Sequence, residues 1–181
     1  MELSEEHAVE MPAESWFGGW QIRRLRRAYT GVSRWKSDQP GYAGFVAELQ
    51  WGLANLPVAQ RTKADDAVFR AVLFGPVMVW LFRELGTWLP QLTTRVFTLV
   101  TPWAFSFLTG PMERTGARTI HVPACRFHRE GGEALCHHVC RDPVHRYFTW
   151  MRVPLTLSPD RASLRCGWRY GPEEGGDRDV R

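Results

Sequence analysis

Residues 125–143 read CRFHREGGEALCHHVCRDP and contain three of the four cysteines of the 181-residue chain. With Cys166, the spacing is Cys125-x10-Cys136-x3-Cys140-x25-Cys166. In an intracellular chain, cysteines clustered in this way point to metal ligation before disulfides. Disulfides and unligated thiols packed as small apolar groups are the two alternatives.

The local pattern places these cysteines on separate elements. Residues 133–140 are predicted to form a helix, in which Cys136 and Cys140 lie one turn apart on the same face. Residues 164–170 alternate apolar side chains with arginine, which is typical of a half-buried strand with Cys166 on its apolar face. We therefore expect four thiols to converge from three elements.

The spacing does not decide between zinc and an iron–sulfur cluster. Structural zinc sites usually carry paired C-x2–4-C knuckles, whereas this chain has one C-x3-C pair and two lone cysteines. Iron–sulfur clusters are also held by four thiolates. His137 and His138 are interpreted as residues of the helix surface, with ligation or proton transfer as the alternative.

The composition limits the class of protein. A chain that is 44% apolar and 23% charged can bury a core and is not intrinsically disordered. The net charge of +4 comes from 21 arginines and two lysines, most of them scattered along the chain and without a nucleic-acid-binding motif. No nucleic-acid partner is therefore expected.

The sequence predicts a cytoplasmic protein or one that rests on a membrane surface. No uncharged apolar run reaches the roughly 18 residues that a spanning helix needs. The chain starts with Glu2, Glu5 and Glu6, where a signal or transit peptide would be basic, so neither is expected.

The predicted fold class is mainly α: a helical domain with a small C-terminal α+β, cysteine-rich, metal-binding part. Residues 15–171 are predicted to form a single domain, with the helical apolar part over 15–112 and the cysteine-rich part over 113–171. Residues 1–14 and 172–181 are predicted to be disordered tails.

The apolar spacing predicts helices over 16–29 and 42–56, the second ended by Pro57. A third helix is predicted to begin at Thr62 as N-cap, with Asp65 and Asp66 in its first turn. The helix predicted over 133–140 is expected to end before Pro143.

Residues 68–112 are the most apolar part of the chain. Pro76, Pro90 and Pro102 divide them, which predicts two helices with a break or kink at each proline. The plain interpretation is a pair of core helices. The alternative is an apolar tunnel or a membrane-facing hairpin built from the many aromatic side chains.

The C-terminal part carries a set of short motifs. They are Gly110-Pro111, Cys125-Arg126-Phe127, Cys136 to Arg141, Pro143, Pro154-Leu155 and Cys166 to Gly171. Together they resemble the motifs of the Dwarf twenty-seven family, the plastid β-carotene isomerases of strigolactone biosynthesis. The resemblance is tight across this part and looser at Trp16-Phe17 and Gly41-Tyr42. Plant members carry two further cysteines, so the four of this chain resemble a minimal ligand set.

The resemblance implies an iron-dependent cis/trans isomerase that acts on a carotenoid, between all-trans and 9-cis β-carotene, or on a similar polyene. Rotation about a polyene double bond requires a temporary loss of bond order, which one-electron transfer at a metal centre beside a dry slot could provide. The cluster itself, and no side chain, is then the proposed catalyst, and an electron donor would be a partner.

We expect Cys125, Cys136, Cys140 and Cys166 to bind a [4Fe-4S] cluster. The substrate-slot candidates are Trp80, Phe97, Trp103, Phe105, Phe107 and Phe127. Two other functions stay open: a non-catalytic zinc-binding module with an apolar surface for a partner or membrane, and an iron–sulfur enzyme acting on another isoprenoid or lipid.

Because carotenoids reside in bilayers, a peripheral membrane contact is also expected. Trp16, Phe17 and Trp20, followed by four arginines in 23–27, would suit an interfacial helix. An ordinary packed amphipathic helix with a solvated basic face is the alternative.

Overall fold

The structure is a computed structural model that describes residues 9–10, 12–160 and 163–171. The fold is mainly helical with a small C-terminal antiparallel sheet, which confirms the predicted class at this level. The first part consists of five helices: α1 (Trp16–Ser33), α2 (Gly41–Asn55), α3 (Val58–Val72), α4 (Pro76–Trp88) and α5 (Pro90–Thr109).

The second part mixes strands and helices around the cysteines. A π-helical segment (Cys136–Arg141) joins its two helices without a break. In chain order the elements are β1 (Glu113–Arg114), β2 (Thr119–Val122), α6 (Arg126–Leu135), the π-helical segment, α7 (Asp142–Trp150), β3 (Leu155–Pro159) and β4 (Cys166–Tyr170).

Helix α1 forms where the pattern predicts it and runs one turn further. The Ser15 hydroxyl accepts a hydrogen bond from the Gly18 N–H (3.0 Å) and so caps the first turn. The helix buries Ile22, Leu25 and Tyr29 against α2 and α3. It ends at Ser33, and the left-handed backbone of the next residue, Arg34, closes the last turn.

The predicted start of α3 is wrong. The helix begins at Val58, because the Pro57 carbonyl already accepts hydrogen bonds from the Gln60 and Arg61 N–H groups (3.0 and 2.9 Å). Thr62 therefore lies inside the helix. Asp65 is buried in the core and lies outside the first turn.

The prolines of the apolar stretch act in two ways. Pro76 and Pro90 stand in the first turns of α4 and α5, where the missing N–H needs no helical partner. Gly75, with a φ of 108°, makes the break before α4. Pro102 does not end α5, which continues to Thr109.

The sheet has the strand order β1-β2-β4-β3, with every pair antiparallel. The predicted alternation of β4 is confirmed, since Cys166, Trp168 and Tyr170 are buried. Two strands escaped the sequence analysis. β1 has only two residues, too few for an alternating pattern. β3 has five residues, and its Leu155 and Leu157 alternate with Thr156 and Ser158, so this strand carried a period-two signal that was overlooked.

One continuous apolar core runs through both parts. The Phe97 ring of α5 contacts the rings of Phe82, Phe148 and Tyr170 at centroid distances of 5.0–6.2 Å. This cluster joins α4, α5, α7 and β4. Among the described residues, no helix is long and apolar enough to cross a membrane.

Part of the predicted N-terminal tail packs on the fold. Val9 and Met112 exchange two backbone hydrogen bonds (2.9 and 3.0 Å), and Ala13 is buried. Residues 1–8 and 11, together with the predicted tail 172–181, lie outside the described residues.

Two carboxylates are buried between the first three helices. Glu48 is fully buried, and one of its oxygens accepts hydrogen bonds from the Arg26 guanidinium (3.0 and 2.7 Å) and from the Ser37 N–H (3.3 Å). Asp65 is 6% exposed and has one buried oxygen without a hydrogen-bond partner. Burial raises the pKa of Asp65 from 3.8 to about 7.

Asp65 should make stability fall as the pH rises. Between about pH 4 and pH 7 the folded state keeps a proton on Asp65 that the unfolded state has lost. Asp65→Asn stays neutral throughout, so its free energy of unfolding relative to the parent should rise across this interval by up to about 4 kcal/mol, at about 1.4 kcal/mol per pKa unit.

Urea unfolding at pH 4.5, 6 and 7.5 measures this difference. The matched control is Asp66→Asn, which removes a carboxylate that bonds Arg146 at the surface (2.9 Å). A difference for Asp65→Asn that stays constant with pH would contradict a burial-shifted carboxyl.

Candidate metal centre

Cys125 and Cys166 are brought together at one end of the sheet. The Cys125 N–H donates to the Leu164 carbonyl (2.8 Å), two residues before Cys166. Val122, at the end of β2, pairs with Cys166 at the start of β4. Cys125 then stands as the N-cap residue of α6, so its position is fixed by both the strand pair and the helix start.

Cys136 and Cys140 are placed by the π-helical segment. Its last hydrogen bond runs from the Asp142 N–H to the His137 carbonyl, five residues back, which widens the helix by comparison with an α-helix. The predicted end before Pro143 is wrong, because this proline fits the first turn of α7. The two cysteines still stand four residues apart on one continuous helix.

The interruption that the sequence analysis placed at the proline lies earlier, at Gly132. This residue has φ 81° and ψ 176°, a backbone conformation that is essentially restricted to glycine. The chain therefore turns between the first half of α6 and the segment that carries Cys136. This turn lets Cys125 and Cys136 belong to two helical pieces with separate directions.

All four cysteines are free thiols in an apolar setting. Cys125, Cys136 and Cys166 are buried, and Cys140 is partly buried and contributes to the wall of an apolar cavity. Burial raises the pKa of Cys136 to about 11 and that of Cys166 to about 12. Burial also raises the pKa values of Cys125 and Cys140 above the usual range.

The four thiols also act on one another. Burial is the main cause of the raised pKa of Cys140, and negative charge on Cys125, Cys136 and Cys166 raises it further. Charge on Cys125 and Cys136 likewise contributes to that of Cys166. The thiols therefore lie within electrostatic reach of one another, and a cation among them would relieve this repulsion.

The donor set fits a thiophilic metal or an iron–sulfur cluster. Four cysteine sulfurs, three of them buried, are the kind of ligand that such centres use. Within residues 9–10, 12–160 and 163–171, no three His, Cys, Asp or Glu side chains lie as close together as a bound ion requires. Binding of a metal would therefore require the sulfurs to draw together.

The histidines near the cysteines have other contacts. His138 is exposed and lies 3.5 Å from an Asp142 carboxylate oxygen, as expected for the helix surface. His137 is less exposed and lies 3.8 Å from a Glu133 oxygen.

An apolar cavity of about 60 Å³ lies beside Cys140. It is bounded by side chains of α2, α3, α5, α6, the π-helical segment, α7 and β4. A cavity of roughly 150 Å³ holds benzene in an engineered protein, so the volume observed here is too small for a polyene without a rearrangement of its walls.

The predicted slot residues separate into three groups. Phe105 and Phe127 line the cavity. Phe97 and Phe107 are buried in the core but do not line this cavity. Trp80 and Trp103 are 58% and 43% exposed on the outer surface of α4 and α5.

Several cavity residues were missed by the sequence analysis. Val139 lies between two cysteines, and Trp168 lies two residues after Cys166 on the same buried side of β4. The alternation of β4 carries the signal that could have found Trp168. Val68, Phe69 and Val72 reach the cavity from α3 and have no local signal.

Comparison of the chain with protein-family models, with curated proteins and with solved structures found no match.

Gly132→Ala should destabilise the protein by about 1–3 kcal/mol, because the new side chain would be forced into a glycine-restricted conformation. A Cβ at this position would meet no atom within 4 Å, so the effect would come from the backbone alone. Urea unfolding measures it.

Gly31→Ala is the matched control, since it adds a methyl group to the interior of α1 where a Cβ also meets no atom within 4 Å. It should stabilise the protein by about 0.5–1 kcal/mol. Equal effects of the two substitutions would contradict the role of the turn at Gly132.

Proposed function

We propose that the protein binds a [4Fe-4S] cluster through Cys125, Cys136, Cys140 and Cys166 and acts as a cis/trans isomerase of a carotenoid or similar polyene. The observation that carries the proposal is a group of four free thiols, three of them buried, of which Cys140 lines an apolar cavity. The resemblance to the Dwarf twenty-seven family supports the substrate class, all-trans and 9-cis β-carotene being the reference pair.

When bound, the cluster would supply the one-electron chemistry that lowers the order of a conjugated double bond. The chain would exclude water and hold the substrate. The cavity wall is almost wholly apolar, and the hydroxyl of its one polar residue, Thr109, is engaged by the Phe105 carbonyl (3.3 Å). Such a wall offers neither an acid nor a base beside Cys140, in keeping with chemistry that needs no proton transfer from a side chain.

A substrate of polyene length would have to enlarge the cavity. Its wall reaches the partly exposed side chains of Val68, Leu108 and Val139, which belong to α3, α5 and the π-helical segment. Separation of α3 from the cysteine-rich part at these residues would open the cavity towards the surface. The charged pair Arg146–Asp66 (2.9 Å) spans the same two parts.

A structural zinc site is the second candidate function. It is favoured by the small volume of the cavity and by the position of the cysteines at the junction of β2, β4 and the helical segment. Zinc held by four thiolates would tie the sheet to this helix and contribute directly to folding.

The metal content of protein purified without oxygen separates the two candidates. We expect a brown protein with iron and acid-labile sulfide close to about four of each per chain. A colourless protein with one zinc would overturn the cluster and favour the structural site.

Each single Cys→Ala substitution at the four positions should lower the metal content and destabilise the cysteine-rich part, because metal binding and folding are coupled. The matched control is His138→Ala, which alters an exposed neighbour of Cys140 and should retain the metal. Full metal content in all four cysteine variants would show that these residues are not the ligands.

Val68→Phe should fill the cavity and lower the rate of β-carotene isomerisation by about tenfold or more, equivalent to about 1.4 kcal/mol in the barrier. Its iron content should be unchanged, since Val68 belongs to α3, which carries none of the four cysteines. Chromatographic separation of the all-trans and 9-cis isomers measures the rate.

Val58→Phe makes the same change at an exposed position of α3 and should have no effect. Isomerisation by Val68→Phe at the parental rate, with the control also unchanged, would exclude this cavity as the substrate site.

A further inference from the structure

Helices α4 and α5 expose a broad apolar surface, here called the outer face. Its main side chains are 43–78% exposed. They are Val77, Trp80 and Trp88 of α4 and Leu92, Leu99 and Trp103 of α5. Soluble monomers rarely expose contiguous apolar patches larger than a few hundred Å², so a surface of this kind indicates a binding site.

The outer face follows from the helical period. In each helix the exposed residues recur three, four, seven, eight or eleven positions apart and so lie along one side. The opposite sides are buried through Val79 and Gly86 of α4 and through Thr94, Thr98 and Thr101 of α5. Gly86 lies so close to the Met151 carbonyl that a Cβ would stand 2.5 Å from it, which fixes the inner side of α4 against the fold.

The start of α1 extends the outer face. The Phe17 ring lies 4.7 Å from the Trp103 ring, centroid to centroid, and the Trp20 ring lies 6.5 Å from that of Phe74, which is itself exposed. Trp16, at the first position of α1, is 82% exposed. The apolar surface therefore runs from the hairpin of α4 and α5 onto α1.

Basic charge adjoins this aromatic end. Arg23, Arg24 and Arg27 follow Trp16 and Trp20 on the same side of α1, at spacings of three and four residues. The Arg24 guanidinium lies over the Trp20 and Phe74 rings, at 4.7 and 5.5 Å from their centroids. Helix α1 contains no acidic residue.

The geometry points to a lipid bilayer with anionic headgroups as the occupant of the outer face. Four exposed tryptophans suit the boundary between acyl chains and headgroups, where an aromatic ring with one polar edge is preferred. The arginines would meet the negative headgroups. The helices would lie in one leaflet with their inner sides on the protein.

Charge favours a bilayer over a second copy of the chain. In a symmetric pair formed through this face, two sets of arginines would approach one another. The only carboxylate that α4 and α5 could offer them is Glu84, which is partly buried. An anionic membrane complements the apolar and the basic regions together. This inference rests on the surface alone and is independent of the proposed metal centre.

The test is flotation of the full chain with phosphatidylcholine vesicles and with vesicles in which one third of the lipid is phosphatidylglycerol. The protein should float with the mixed vesicles, more weakly with the neutral ones, and the difference should shrink in high salt. Vesicle binding should persist in a Cys136→Ala variant that has lost its metal, so that the two proposals fail separately.

Two double variants separate the apolar and the charged contributions. Trp88→Ser with Leu92→Ser should lower the partition coefficient on both kinds of vesicle by about tenfold or more. Arg23→Gln with Arg27→Gln should lower it on the anionic vesicles only, by about fivefold per arginine.

The matched controls are Val58→Ser, an exposed apolar residue outside the face, and Arg114→Gln, an exposed arginine of β1. Both should bind as the parent does. Circular dichroism and urea unfolding check that all variants fold.

Light scattering of the lipid-free protein measures its oligomeric state and can contradict the proposal. A dimer that Trp88→Ser with Leu92→Ser converts to a monomer, together with no flotation, would overturn the proposal and assign the face to contacts between copies. Binding that is equal on neutral and anionic vesicles and unchanged in the arginine variants would overturn the choice of an anionic membrane.

Discussion

The packing of one side of α5 is the constraint on which the rest of the structure depends. Phe97 joins the rings of α4, α7 and β4, while Phe105 of the same helix packs on Trp168 (5.7 Å between centroids) and lines the cavity beside Cys140. At the end of α5, Gly110 approaches the Ala124 carbonyl, which precedes Cys125. The inner side of this helix thereby packs against the part of the core that contains Cys125 and Cys166, and its outer side is exposed.

The features that the sequence could predict are those that depend on local spacing. The three- and four-residue periods of α1 and α2 and the alternation around Cys166 each report which side of an element is buried. The burial of Cys166 with Trp168 follows from that alternation alone. The four-residue step between Cys136 and Cys140 survives even though the helix there is a π-helix.

The features that escaped prediction depend on contacts between distant residues. The early start of α3 follows from hydrogen bonds to the Pro57 carbonyl, and the meeting of Cys125 with Leu164 joins residues 39 positions apart. In α4 and α5 apolar residues occur on both sides, so their pattern could not tell the inner side, with Phe105, from the outer side, with Trp80 and Trp103. Three-dimensional packing alone makes that distinction.

The strand order has a consequence for the way the chain is made. β4 lies between β2 and β3, although it follows both in the chain. During synthesis, β2 and β3 leave the ribosome before β4, and they do not pair with each other. The edges with which they later bond to β4 stay open until β4 is made. Because β4 begins with Cys166, the closing of the sheet and the delivery of the last thiol are a single late event. A nascent chain halted before this strand would have three of the four cysteines and two unpaired strand edges, a form suited to recognition by chaperones.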